Sequence, residues 1–113
     1  MSCIVVHKWL EPYVILEVLK KHYEVEDLTF DSFTKNQMKQ KMLLKIQESE
    51  TNSFGVYMKN LNKFYVFNSD KNIDKNFIIS LFELKNEDYY ETDNEDEAVS
   101  AIDMAKAEVS FIF

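Results

Sequence analysis

One glycine, Gly55, serves the whole of this 113-residue chain. Glycine reaches positive φ without steric cost, so tight hairpins, helix C-caps and phosphate-cradling loops are normally built on it. A chain with a single copy must make its turns from Asn and Asp, which tolerate the left-handed region better than other residues bearing a Cβ. Asn60, Asn62, Asn68, Asn72, Asn86 and Asn94 fall where turns are wanted. The same scarcity excludes chemistries. GxxxxGK[ST], GxGxxG and GxSxG each need at least two glycines close together, so neither the usual phosphate loops nor a hydrolase elbow can be formed.

Apolar residues make up 46% of the chain and aromatics 14%, enough to offset chain entropy by burial and to argue against disorder. The length fits one globular domain over residues 1–113, which should bury about two thirds of its unfolded surface. Cys3 is the only cysteine, so no intramolecular disulfide and no Cys-rich zinc site is expected, and a reducing compartment is the natural setting. No basic region precedes an apolar stretch, and the run from Trp9 to Leu19 is broken by Glu11, Pro12 and Glu17. Neither signal peptide nor membrane span is read here, and the expected compartment is the cytoplasm.

The net charge of −7 is unevenly placed. Residues 1–85 hold 12 Lys against 11 acids, whereas residues 86–108 hold nine acids against Lys106 alone. One short region therefore dominates the molecule's field. There is no Arg, the residue best suited to bidentate phosphate contacts and to stacking on bases, and the strongest single-sign patch would repel a polyanion. Direct nucleic-acid binding is disfavoured. Abundant Lys and Asn without Arg also suit the AT-rich genomes of many phages and low-GC bacteria, which is an association rather than a physical argument.

Periodicity predicts an α+β fold: an antiparallel β-meander over about 41–68 with two or three packed helices and a C-terminal strand. Ser2 to Val6 reads as a strand buried on both faces, and Pro12 as the first turn of a helix over about 11–23. Residues 24–38 show no clean period, although Asp31 or Ser32 can cap one or two helical turns. The meander is read from Met42, Leu44 and Ile46, then Phe54, Val56 and Met58, then Lys63 to Phe67. Its inward side chains should include Leu44, Ile46, Val56 and Val66. Residues 72–85 carry a helical stripe, with Ser69 or Asp70 near its start, although Phe77, Ile78 and Ile79 would serve equally in a buried strand; the helix is preferred. A last helix is capped at Thr92, Asp93 or Asn94, and Val109 to Phe113 reads as a terminal strand. Trp9, Tyr13, Phe111 and Phe113 are expected in core or edge packing.

The strongest local signal is the acidic stretch Asn86–Glu97. Glu87, Asp88, Glu91, Asp93, Glu95, Asp96 and Glu97 can imitate a phosphate track or dock on a basic protein surface, with Tyr89 and Tyr90 as amphipathic anchors. The alternative reading is a solvated loop entering a helix whose dipole favours acids. A Ca²⁺ loop starting at Asp93 would want Gly and Glu where the chain has Ala98 and Met104. Cys3 and His7, on a strand, stand about 13 Å apart at roughly 3.3 Å per residue, too far for one metal. His22 completes no zinc set, so no metal, cofactor or catalytic residue is assigned.

The expected function is that of a non-enzymatic acidic module, a small inhibitor or regulator occupying a basic or nucleic-acid-binding surface of a partner protein. Two rival classes stand beside it. One is a structural subunit, homodimeric or assembled with another protein, pairing through an exposed C-terminal strand; the other is a small enzyme without a recognisable motif.

Overall fold

The computed structural model describes residues 2–28, 34–49, 52–58, 63–71, 74–104 and 107–113. In chain order the elements are β1 (Cys3–Val6), α1 (Pro12–Lys20), β2 (Glu24–Leu28), α2 (Lys35–Glu48), β3 (Asn52–Met58), β4 (Lys63–Ser69), α3 (Lys75–Leu81), β5 (Tyr89–Thr92), α4 (Glu95–Asp103) and β6 (Val109–Ile112). The strands form one sheet in the order β2-β4-β3-β6-β1-β5, and every neighbouring pair is antiparallel. The fold class is α+β.

Helices cover both faces of the sheet. Met38, Met42 and Leu43 of α2 and Ala98, Val99 and Ile102 of α4 pack with Cys3, Val5, Tyr57, Phe64, Val66 and Ile112. Ile15, Leu16 and Leu19 of α1 and Ile78 of α3 pack on the other face with Ile4, Val6, Phe54, Val56, Phe67 and Phe111. Alternate residues of each inner strand thus enter two separate cores, which is why these strands read as continuous apolar runs. Ser110 is the polar exception in β6, and its buried hydroxyl donates to the Ala98 carbonyl at 2.8 Å.

Several expectations hold. β1 is buried on both faces, α1 begins at Pro12, and β3 and β4 pair antiparallel from Asn52–Ser69 to Met58–Lys63. Val56 and Val66 are buried, although in opposite cores.

The meander itself needs correction, because the segment read as its first strand lies inside α2. The Thr34 hydroxyl accepts from the Gln37 N–H, while the Gln37 side chain accepts from the Thr34 N–H, a reciprocal cap that fixes the helix start. Met38, Met42 and Ile46 then share a helical face, and Leu44, expected inward, is 52% exposed. Beside β4 the sheet instead has β2, whose Glu24, Glu26 and Asp27 are exposed.

α3 begins at Lys75, later in the chain than the Ser69 or Asp70 expected near its start, and is capped by Asp74, whose carboxylate accepts from the Asn76 N–H at 2.8 Å. Asp31 and Ser32 lie outside the described residues. Trp9 and Tyr13 are exposed, whereas Phe111 is buried. β6 lies between β3 and β1, bonded on both sides, so the C-terminal strand is not an edge open to pairing.

Candidate functional site

Part of the acidic stretch read as a polar loop is the edge strand β5, which among the described strands pairs with β1 alone. A tight turn leads into it. The Asp88 carboxylate accepts from the Lys85 N–H at 2.8 Å, and the Asp88 carbonyl accepts from the His7 N–H at 2.8 Å. Asp88 is therefore half-buried and structural, while Glu87 is exposed beside it.

The His7–Asp88 bond also sets the parity of the ladder. Antiparallel pairs alternate between bonded and non-bonded residues. Counting along the register, Val5 with Tyr90 and Cys3 with Thr92 are the bonded pairs, so the backbone groups of Tyr89 and Glu91 point away from β1. Among the described residues nothing bonds to them.

The side chains of β5 divide between the two faces. Tyr89 packs against the core under α1 and α3, and Tyr90 against the core under α2 and α4, with its ring 5.2 Å from that of His7. Burial, and then Glu97, raise the Tyr90 phenol above its usual range. Glu91 pairs with Lys75 of α3 at 3.0 Å.

The chain turns at Asp93 and Asn94, and the Asn94 side chain accepts from the Asp96 and Glu97 N–H groups at the start of α4. Glu97 accepts from the Thr92 hydroxyl at 2.9 Å. Asp96 reaches Lys39 of α2, whose side chain is only 7% exposed, so this carboxylate serves the packing of two helices. Glu87, Asp93 and Glu95 have no described lysine within ion-pair distance.

The structure thus brings the predicted residues to one end of the sheet and sorts them. Asp88, Asp96, Glu97 and, in part, Glu91 are engaged in bonds within the fold, whereas Glu87 and Asp93 are exposed and Glu95 is half-covered. Among the described residues no group of three or more His, Cys, Asp or Glu side chains is placed to hold a metal ion. No described helix is long and apolar enough to cross a membrane.

A feature that sequence reasoning missed lies beside the other edge strand. A cleft of about 950 Å³ lies at the end of β2 and β4, between the C-terminal ends of α1 and α2, with Val66 and Asn68 in its wall and Lys20, Lys45, Glu48 and Phe77 around it. Its residues come from four separate stretches of chain, and no spacing could have assembled them. Among its described residues lysines and carboxylates are equal in number. No family model, curated protein or solved structure matches the chain.

Proposed function

We propose that the protein acts by binding, as a small inhibitor or regulator whose acidic edge occupies a basic or nucleic-acid-binding surface of a partner protein in the cytoplasm. The observation that carries this reading is the gathering of Glu87, Asp93 and Glu95, without described lysine partners, around an edge strand flanked by two half-buried tyrosines. Carboxylates held beside rigid aromatic rings offer both steering and anchorage to a cationic surface.

The test is charge reversal confined to acids that make no described ion pair. Changing Glu87, Asp93 and Glu95 together to Lys should abolish the salt-sensitive capture of a partner from lysate, while urea unfolding shows only the loss of about 1–2 kcal/mol that reversing the first-turn charge of α4 entails. Undiminished capture of the same partner by this variant would sink the reading.

A further inference from the structure

Every sheet that does not close has two edges, and here they differ in electrostatic setting. Along β2, Glu26 is bound to Lys45 at 2.7 Å, and Lys20 and Lys21 lie at the same end of the strand, in the wall of the cleft that Glu24 also lines. Along β5, the one described ion pair is Glu91 with Lys75, set among Glu87, Asp93, Glu95 and Glu97. Charges on an edge strand normally prevent another strand from adding, because like charges meet across the new ladder. That protection fails against a strand of opposite charge.

We propose that the open edge of β5 takes up an extended, Lys- or Arg-rich segment of a partner protein as an additional strand. This rests on the acidic-surface reading above and specifies how that surface is used. The outward N–H and C=O groups of Tyr89 and Glu91 are two residues apart, the spacing at which an antiparallel neighbour makes its bonds. Main-chain bonds of this kind supply affinity, and side chains alternating between the two faces supply specificity. On one face the added strand meets Tyr89 and Glu91. On the other it meets Tyr90 and the first turn of α4, where Glu95 and Glu97 stand. Basic side chains on both faces therefore find carboxylates. A second copy of this chain would instead bring the acids of its own edge, Glu87, Glu91 and Asp93, alongside the same acids.

The probe is a short capped peptide alternating lysine and valine, compared with the same peptide carrying backbone N-methyl groups on the edge that would face β5. With saturating unmodified peptide, amide exchange at Tyr89 and Glu91 should slow by more than about tenfold. Exchange at Tyr90 and Thr92, already bonded to β1, should change little, and the methylated peptide should bind more weakly without this protection. Glu91→Pro, which removes an outward N–H and no bond to β1, should weaken binding more than Glu91→Gln does. Equal binding by both peptides, without protection at Tyr89 and Glu91, would overturn strand addition while leaving the charge reading intact. Binding by neither would sink both. Protection appearing in β2, or rising with protein concentration in the absence of peptide, would assign the edge differently and overturn the proposal.

Discussion

The side chain of Met42 fills the space that a Cβ on Gly55 would occupy, with its Sδ nearest and its Cγ and Cε both 3.0 Å from that position. The chain's only glycine therefore makes no turn and has no positive φ; it lets α2 settle onto β3. Gly55→Ala forces the thioether aside in a packed core, and overpacking of this kind costs about 1–3 kcal/mol, only partly offset by the lower chain entropy of Ala. The change should lower the urea midpoint. In a Met42→Ala background the same substitution should be neutral or stabilising, and an equal loss in both backgrounds would show that Met42 is not the obstacle.

Glu83 bears the consequence of a chain nearly free of glycine. It sits at φ 53°, just past the end of α3, where the Leu84 N–H donates to the Ile79 carbonyl at 2.9 Å and the Glu83 N–H to the Ser80 carbonyl at 3.1 Å. This is the position where helices most often place Gly, because a Cβ is strained there. Glu83→Gly relieves that strain against a greater loss of unfolded-state freedom, for a net gain of about 0.5–1 kcal/mol. Calorimetry should find a higher Tm for Glu83→Gly and a lower one for Glu83→Val.

Lys39 and Asp96 tie α2 to α4 with an ion pair whose two ends differ in exposure, 7% for the lysine side chain and 70% for the carboxylate. Removing the carboxylate strands a buried ammonium, whereas replacing the lysine with an apolar chain removes the need for a partner. Asp96→Asn should destabilise by about 1–3 kcal/mol, less than for a fully buried pair because water reaches the site. Lys39→Met should be close to neutral. Equal losses from both changes would contradict this assignment.

The elements legible in the sequence are those whose burial leaves a pattern. β1, β3, β4 and β6 are apolar on both faces, Pro12 marks the start of α1, and Asn94 is among the residues read as caps for the last helix. β2 and β5 were not legible because they are edges. Their acids oppose unwanted pairing, so they show neither alternation nor an apolar run. α2 was misread over a short window in which Leu44, exposed on the helix, completed a false alternation with Met42 and Ile46. The acidic surface was legible as a run of charge. Its division into Asp88 and Asp96, turned to structural ends, and Glu87, Asp93 and Glu95, left free of described lysines, depends on contacts from distant segments such as His7 and Lys39.

Cys3 makes alkaline pH a probe of the same core. Burial pushes its thiol from 9.0 up to about 11, and Glu95 adds to the shift through its negative charge. Tyr65 behaves likewise, raised from 10.0 to about 12 chiefly by burial and then by Asp27. In each case the unfolded chain gives up its proton at lower pH than the folded one, so stability is fully present below the unfolded value and is lost as pH rises towards the folded value. The Cys3 contribution should fade between about pH 9 and about pH 11, and at 1.36 kcal/mol per pKa unit it amounts to about 2–3 kcal/mol. Urea unfolding followed across that interval should show a falling midpoint in the parent. In Cys3→Ala the fall should be shallower and should begin nearer pH 10, where Tyr65 takes over. Alkylation of Cys3 in the native protein should be slow until the midpoint drops, because the thiol is fully buried and reacts as its thiolate. Rapid alkylation at neutral pH with the fold intact would place the thiol in a far more open setting than its fully buried position at the start of β1 allows.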